Sequence, residues 1–291
     1  MVFKLILLPL RGDPAEAPAV ATALSVARLF DAHVTALHVR PDVEQDMAAL
    51  AAADMGMAAG LEPALSRMEK EAEAHEQAAV ATWKALCTEG GFTEANHPGP
   101  PGPTAAFQAE TGDEAEWVAS LGRTADLIVA GRGDDAPGDI GILETALLQS
   151  GKPLLIAPDR TPAAGLSLAG TVGIAWKDGR EAAIAVAAAL PFLHHARRVL
   201  IFCVPEDGEA PDATPARLAH ALRWHAPDVA VKLLPRGTRS PAAVLLEAAA
   251  ELGCGLLVMG GYGHGRLREA VFGGFTRAVL QAAPMPVLMA H

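Results

Sequence analysis

The residues best suited to binding chemistry lie near the end of the chain, in a glycine-rich segment. An apolar run, Leu-Leu-Val-Met, has the length and composition of a buried β-strand and stops at Gly260 and Gly261. Gly263 follows, and Gly273 and Gly274 then open a segment with helical periodicity. Glycine lets the backbone approach a ligand closely, and a helix N-terminus presents unpaired N–H groups and the positive end of its dipole. The order strand, loop, helix start therefore predicts an anion-binding site.

Two side chains within this segment could add to such a site. His264 is the histidine best placed for a phosphate contact or an acid–base role, and Arg266 follows two residues later. Each also has a structural interpretation, since a loop histidine and a solvated basic helix face are common in proteins. The spacing matches neither the P-loop nor the dinucleotide-binding motif. The sequence alone therefore favours an anion site without assigning a catalytic residue.

Length and charge limit the classes of protein to consider. The chain has 291 residues, 51% of them hydrophobic, which predicts a large core and about two domains. Residues 1–160 hold 11 Lys and Arg against 24 Asp and Glu, whereas the remainder holds 12 against 10. An acidic first half argues against nucleic-acid binding. There is neither an apolar run long enough for a membrane span nor a signal-peptide pattern, so we expect a cytoplasmic protein without membrane association.

Strand and helix patterns alternate along the chain and then repeat, which indicates an internal tandem duplication. Residues 125–131 align with 254–260, and residues 150–157 with 282–289. We predict an α/β fold of two Rossmann-like domains, residues 1–160 and 167–291, each a mostly parallel five-stranded sheet flanked by helices. The predicted strands are residues 4–10, 33–39, 127–130, 154–157, 171–176, 199–204, 229–234, 255–259 and 287–290. The predicted helices are 15–32, 62–89, 112–122, 143–150, 181–190, 215–225 and 240–252, with a last helix ending at 283.

The two halves differ in the loop that follows the repeated strand. In the first half this loop carries Asp134, Asp135 and Asp139, and three carboxylates make a poor phosphate site. A metal site built from these aspartates is an alternative, although their spacing does not match a calcium-binding loop. We therefore predict a degenerate loop in the first half and a retained glycine loop in the second.

The spacing of Gly260, Gly263 and Gly273 resembles the G-x2-G-x9-G-[ST] motif of the universal stress protein family, with Gly274 in place of Ser or Thr. The resemblance extends over nearly the whole chain and implies a tandem member with two adenine nucleotide alpha hydrolase-like domains. It also implies that the last strands of the two halves pair as an intramolecular pseudo-dimer, and it leaves a homodimer open. An Asp contacts adenine at the end of strand one in ATP-binding members; Lys177 occupies that position in the second half and Arg11 in the first.

The leading hypothesis is a cytoplasmic stress-response or signalling module that binds ATP, another adenine nucleotide or another phosphate-bearing ligand in the second half. The candidate ligand-binding residues are Gly260, Gly261, Gly263, His264, Gly273, Gly274, Lys177 and Arg266. The alternatives are an interaction scaffold that binds no nucleotide and a weak nucleotide hydrolase or transferase. No nucleophile, zinc-binding or paired-carboxylate motif is recognisable, so the sequence assigns neither a catalytic residue nor a metal ligand.

Overall fold

A computed structural model describes residues 2–43, 61–99, 102–132, 137–160, 167–204, 213–235, 237–261 and 273–291. Residues up to 160 are called the first half and residues from 167 the second half. The elements of the first half are β1 (Leu5–Pro9), α1 (Ala17–Phe30), β2 (His33–Arg40), α2 (Leu61–Gly90), β3 (Thr93–Glu94), β4 (Thr104–Thr111), α3 (Glu114–Gly122), β5 (Leu127–Ala130), α4 (Pro137–Gln149) and β6 (Leu154–Ile156). A short 3-10 turn, Pro14–Glu16, precedes α1.

The second half repeats this order with fewer residues. Its elements are β7 (Thr171–Ala175), α5 (Arg180–His195), β8 (Arg198–Cys203), α6 (Thr214–Leu222), β9 (Val229–Leu233), α7 (Pro241–Glu251), β10 (Cys254–Gly260), α8 (Gly274–Ala282) and β11 (Val287–Ala290). The predicted α/β class is confirmed, with helices covering a mostly parallel sheet.

The strands of the described residues form one 11-stranded sheet in the order β3-β4-β2-β1-β5-β6-β11-β10-β7-β8-β9. Neighbouring strands within each half are parallel, and the halves meet where β6 and β11 pair antiparallel. The short strand β3 is an additional edge strand of the first half. Apart from β3, the strands of one half appear in the reverse spatial order of their counterparts in the other, as an approximate two-fold relation requires.

Buried apolar residues form a layer on each face of this sheet, and both layers run through both halves. On one face, the rings of Phe3 and Phe30 from the first half pack against Phe192 from the second. The three ring centroids are 5.2–5.3 Å apart, within the range of favourable aromatic pairs. The halves therefore share a continuous hydrophobic core.

Two strands of the first half, the short β3 and the longer β4, were missing from the sequence prediction. The segment Thr104–Thr111 forms β4, which pairs in parallel with β2 over its whole length, from His33 beside Thr104 to Arg40 beside Thr111. Its apolar residues are mostly small, and its second part carries exposed or half-buried polar side chains, so it lacks a clear alternation of polar and apolar residues. Pairing with the neighbouring strand β2, rather than local pattern, determines its conformation.

Two helix boundaries were also predicted incorrectly. Helix α4 begins at Pro137 and not at Leu143, which places Asp139 within a helix; Asp134 and Asp135 lie outside the described residues. Proline at the first helical position is favourable because its missing N–H has no helical partner there. Helix α5 continues to His195 through Pro191, whereas the prediction ended it at Leu190. Pro191 and Phe192 are buried against the core, and this packing outweighs the loss of one helical hydrogen bond.

The predicted alignment of the last strands of the two halves was wrong by one residue. Ile128 N donates to Pro153 O at 3.1 Å, and the equivalent Leu257 N donates to Pro286 O at 3.0 Å. Pro153 therefore corresponds to Pro286, and the strands that follow correspond in the same register. Matching the prolines, which cannot donate to a sheet, would have given this alignment.

Candidate functional site

Each half contains the arrangement at which open α/β sheets bind ligands. In the first half, β1 lies between β2 and β5, so the chain moves outward from β1 in both directions; β7 has the same place in the second half. Connections from such a central strand run to opposite faces of the sheet and leave a crevice beyond the carboxyl ends of the two central strands. The crevices lie beyond β1 and β5 in one half and beyond β7 and β10 in the other.

In the second half, this arrangement brings together two predicted site segments. Met259 of β10 lies beside Ala175 of β7 in parallel register, so Gly260 and Gly261 leave the sheet next to the residues that follow β7. One of these is Lys177, whose side chain is exposed. The sequence placed Lys177 near the glycine segment only through a family resemblance, and the strand register gives that placement a structural basis.

Gly260 and Gly261 also pack closely against helices, which the sequence did not predict. Neither is among the glycines with positive φ in the described part of the chain. A Cβ atom on Gly260 would lie 2.7 Å from the backbone nitrogen of Ala182 in α5, and one on Gly261 would lie 2.7 Å from Leu147 Cδ2 in α4. Close packing against the α5 backbone therefore requires glycine at position 260, whereas at position 261 the end of the Leu147 side chain could move aside.

The N-terminus of α8 is the other described part of the predicted site. Gly273 is the N-cap residue, with φ −60° and ψ 160°, and Gly274 is the first helical residue. Both are exposed, and a Cβ atom at either position would meet nothing within 4 Å. Glycine provides no side chain to accept a hydrogen bond from the first turn, so an external anion could take that role. Gly263, His264 and Arg266 lie outside the described residues.

The first half contains a cavity that the sequence did not predict. Its volume is about 400 Å³, and it lies beyond β1 and β5, at the crevice of that half. It is lined by Pro9, Arg11, Asp13, Ala15, Glu16, Ala19, Glu114, Ala130, Gly131, Arg132, Ile142, Leu143, Pro158, Asp159 and Gln281. A volume of this size suits a small organic ligand.

At one end of this cavity, a side-chain carboxylate accepts hydrogen bonds from several backbone N–H groups. Glu16 accepts hydrogen bonds from the backbone N–H groups of Arg11, Gly12 and Asp13, at 2.9–3.1 Å. Successive N–H groups of this kind form an anion-binding concavity, or nest. Burial raises the pKa of Glu16, and the hydrogen bonds from the nest oppose this shift. The nest is therefore filled internally.

Arg11 and Lys177 occupy equivalent positions, because β1 and β7 pair with their neighbours in matching register. Their surroundings differ: Arg11 Nε donates to Glu114 Oε2 at 2.8 Å. Asp113 and Ser240 both cap the first turn of the following helix, so Pro241 is the counterpart of Glu114 in the second half. Burial raises the pKa of Glu114, and its ion pair with Arg11 opposes that shift. The second half therefore has a cation, Lys177, at the position of Arg11 and a proline in place of the carboxylate.

Arg132, the counterpart of Gly261, connects the first half to the end of α8 in the second. Its Nη1 donates to Gln281 O at 3.2 Å and contacts Asp159 Oδ2 at 3.2 Å, and its Nη2 donates to Ala283 O. The side chain is only 9% exposed. A guanidinium on the last carbonyl groups of a helix is favourable because it complements the negative end of the helix dipole.

Neither a metal centre nor a membrane span is found in the part of the chain that the structure describes. No group of three or more His, Cys, Asp or Glu side chains there is arranged to hold a metal ion. No described helix is long and apolar enough to cross a bilayer.

Known proteins resemble the second half in sequence and the whole chain in fold. Residues 156–291 match the model of the Universal stress protein family. The second half is a universal stress protein domain. The matched range includes Lys177, β10 with Gly260, Gly261 and the start of α8.

Universal stress proteins are also found among similar solved structures. One from Archaeoglobus fulgidus has a TM-score of 0.67 and 16% identity, covering 99% of this chain and 97% of that one. A putative universal stress protein from Pseudomonas aeruginosa has a TM-score of 0.55 and 16% identity, covering 99% and 93%. A functionally unknown protein from Pseudomonas aeruginosa PAO1 has a TM-score of 0.57 and 14% identity, covering 99% and 92%. No curated protein sequence matches the chain. The fold shared with these structures therefore extends over both halves of the chain.

Proposed function

We propose that this chain is a tandem universal stress protein, with domains at residues 1–160 and 167–291, that acts as a cytoplasmic stress-response module. Its second domain binds a phosphate-bearing ligand, for which ATP or another adenine nucleotide is the leading candidate. The antiparallel pairing of β6 with β11 supports the interpretation of the chain as an intramolecular pseudo-dimer. Association of two whole chains stays a prediction.

The observation that best supports ligand binding is the parallel register of Met259 beside Ala175. It brings the end of β10 and the cation Lys177 to the same crevice of the sheet. The Gly261 N–H donates to Ala290 O at 2.9 Å, so the backbone donors for a ligand would come from the start of α8. Helix α8 follows β10 in the chain, and its glycine N-terminus is exposed. Backbone donors, a helix dipole and a lysine are the groups that recognise phosphate without a metal ion.

The same residues lead us to expect weak binding of ATP. Gly274 lacks the hydroxyl of the Ser or Thr in the family motif. Lys177 lies at the position where, by resemblance, ATP-binding members have an Asp that contacts adenine. Each missing hydrogen bond costs roughly 1–3 kcal/mol when the partner group is buried. The backbone part of the site is retained, so a phosphate-bearing ligand smaller than ATP, or one with a different base, fits this proposal equally well.

Isothermal titration calorimetry with ATP, ADP and AMP at near-physiological salt tests the proposal. Gly274→Ser should tighten nucleotide binding about fivefold to tenfold by restoring one hydrogen bond of about 1 kcal/mol. Gly274→Ala is the matched control, since it adds a carbon at the same open position without a donor. Lys177→Ala should weaken binding and reduce its dependence on salt. Absence of heat at millimolar nucleotide in both the wild type and Gly274→Ser would contradict nucleotide binding.

Product analysis in the same samples separates the alternative functions. A hydrolase or transferase would convert ATP to ADP at a rate proportional to protein concentration. A scaffold that binds no nucleotide would give neither heat nor product. The proposed module should bind nucleotide without multiple turnover.

A further inference from the structure

The cavity of the first half differs in charge from the crevice of the second half. Its lining includes two arginines, Arg11 and Arg132, and four carboxylates, those of Asp13, Glu16, Glu114 and Asp159. Arg11 contacts the carboxylate of Glu114 at 2.8 Å, and Arg132 contacts that of Asp159 at 3.2 Å. The lining as a whole is therefore negatively charged, although it lies where a related domain would hold an anion.

The donors that could attract an anion into this cavity already have acceptors from the chain. Glu16 accepts hydrogen bonds from the backbone nest of residues 11–13, at 2.9–3.1 Å. Arg132 donates to the carbonyl groups of Gln281 and Ala283 at the end of α8. A phosphate entering the cavity would have to displace a carboxylate and would approach the others. Repulsion between a phosphate and carboxylates in the same cavity is unfavourable, and it is stronger where water is excluded.

The cavity also has a hydrocarbon side. Pro9, Ala19, Ala130, Ile142 and Leu143 contribute to its wall, and Leu143 and Ala130 are buried. A bare metal ion would gain nothing from this surface, and the described residues include no cluster suited to one. A ligand with a hydrocarbon body and one or more ammonium groups would satisfy both sides of the lining, because pockets combine an apolar surface with a few polar groups that fix orientation.

We propose that the first-half cavity binds a small organic cation, such as an aliphatic amine, and not a nucleotide. The half-buried carboxylates of Glu16 and Glu114 face the ammonium groups, while the alkyl chain contacts Ala19, Ile142 and Leu143. Burial without full compensation already disfavours the charged form of both carboxylates, as the raised pKa of Glu16 and of Glu114 indicates. An ammonium group would supply the missing countercharge. The tandem protein would then have two sites for ligands of opposite charge.

Titration of the full chain with spermidine, followed by calorimetry and by backbone amide NMR shifts, tests this assignment. We expect heat of binding and amide shifts at Gly12 and Gly131, which border the cavity, before any shift at Gly261. The neutral comparator 1,8-octanediol should bind at least about tenfold more weakly, because it lacks the three positive charges of spermidine. ATP should not shift the Gly12 and Gly131 amides.

Two substitutions remove negative charge from the lining with little change in shape. Asp13→Asn keeps the side-chain oxygen that accepts from Ala15 N at 2.8 Å, and Glu114→Gln keeps an acceptor for Arg11. Each should weaken spermidine binding about fivefold to tenfold, whereas Glu89→Gln, an equal charge change at an exposed position on α2, should leave it unchanged. Unchanged thermal unfolding of Asp13→Asn would show that this variant folds.

Three results would overturn the assignment. They are no binding of spermidine at millimolar concentration by the folded wild type, equal weakening by Glu89→Gln, and ATP-induced shifts at Gly12 and Gly131. None of them depends on nucleotide binding in the second half, which is read from the Gly261 amide. Failure of one site is therefore distinguishable from failure of the other.

Discussion

Leu155 and Leu288 lie opposite each other in the antiparallel pairing of β6 with β11, and they are equivalent residues of the two halves. Leu155 pairs with Val129 on its other side, and Leu288 pairs with Val258 in the same register. The approximate two-fold axis that relates the halves therefore passes between these two leucines. Both are fully buried, so the symmetry centre of the sheet is also part of its core.

Replacing either leucine by alanine should destabilise the whole chain. Leu155→Ala and Leu288→Ala should each lower the free energy of unfolding by roughly 2–5 kcal/mol, the usual cost of a cavity in a packed core. Because the two side chains belong to one buried cluster, the loss of unfolding free energy in the double variant should differ from the sum of the two single losses. Urea unfolding of the four proteins of this cycle measures the coupling. Strict additivity with two separate transitions would mean that the halves unfold independently.

Arg132 should contribute to the stability of the contact between the halves. Arg132→Ala removes charge-assisted hydrogen bonds to Gln281 O and Ala283 O from a side chain that is only 9% exposed. We expect a loss of about 2–3 kcal/mol in the free energy of unfolding. Arg123→Ala is the matched control, since exposed Arg123 donates to Gln149 O at the end of α4 within its own half, at 3.3 Å. Its loss should stay below about 1 kcal/mol. Equal losses for the two variants would contradict the special role of Arg132.

The sequence predicted the β-α-β order, the duplication and the position of β10 because strongly apolar strands bounded by glycine are recognisable locally. It did not predict β4, whose conformation depends on pairing with β2. The first-half cavity could not be predicted either. It depends on contacts such as Arg11 with Glu114, 103 positions apart in the chain, and on the spacing between α1 and β5. The sequence pointed to a difference between the two sites through the aspartates of the first-half loop, Asp134, Asp135 and Asp139.

The buried thiol of Cys254 predicts a loss of stability in alkaline solution. Burial raises its pKa from the ordinary 9.0 to about 12, an effect that Arg198 opposes. Between these values the folded chain binds the thiol proton and the unfolded chain does not, so stability falls as the pH rises above about 9. By pH 10.5 the cost is on the order of 1–2 kcal/mol.

Urea unfolding of the wild type and of Cys254→Ala at pH 8.0, 9.5 and 10.5 measures this cost. The variant loses packing at every pH, so the slope of stability against pH, and not its absolute value, reports the thiol. Its decline should be shallower than that of the wild type. Parallel curves would mean that the thiol takes no part in the alkaline loss.

Gly260 and Gly131 are equivalent residues that should respond differently to the same substitution. A Cβ atom on Gly260 would lie 2.7 Å from backbone atoms of Glu181 and Ala182, which cannot move aside without shifting the first turn of α5. A Cβ atom on Gly131 would meet Ala19 Cβ at 3.7 Å, an ordinary contact. Gly260→Ala should therefore destabilise the protein by roughly 1–3 kcal/mol, while Gly131→Ala should change stability by less than about 0.5 kcal/mol.

Thermal unfolding of the two alanine variants gives the comparison directly. The helix that approaches Gly260 is the counterpart of α1, which stands farther from Gly131 and leaves room for the first-half cavity. The same measurement therefore tests whether the halves differ in the spacing of helix and strand at their crevices. Equal melting temperatures for the two variants would contradict that difference. A lower temperature for Gly260→Ala alone would explain why glycine is required at the end of β10 whether or not a phosphate binds beside it.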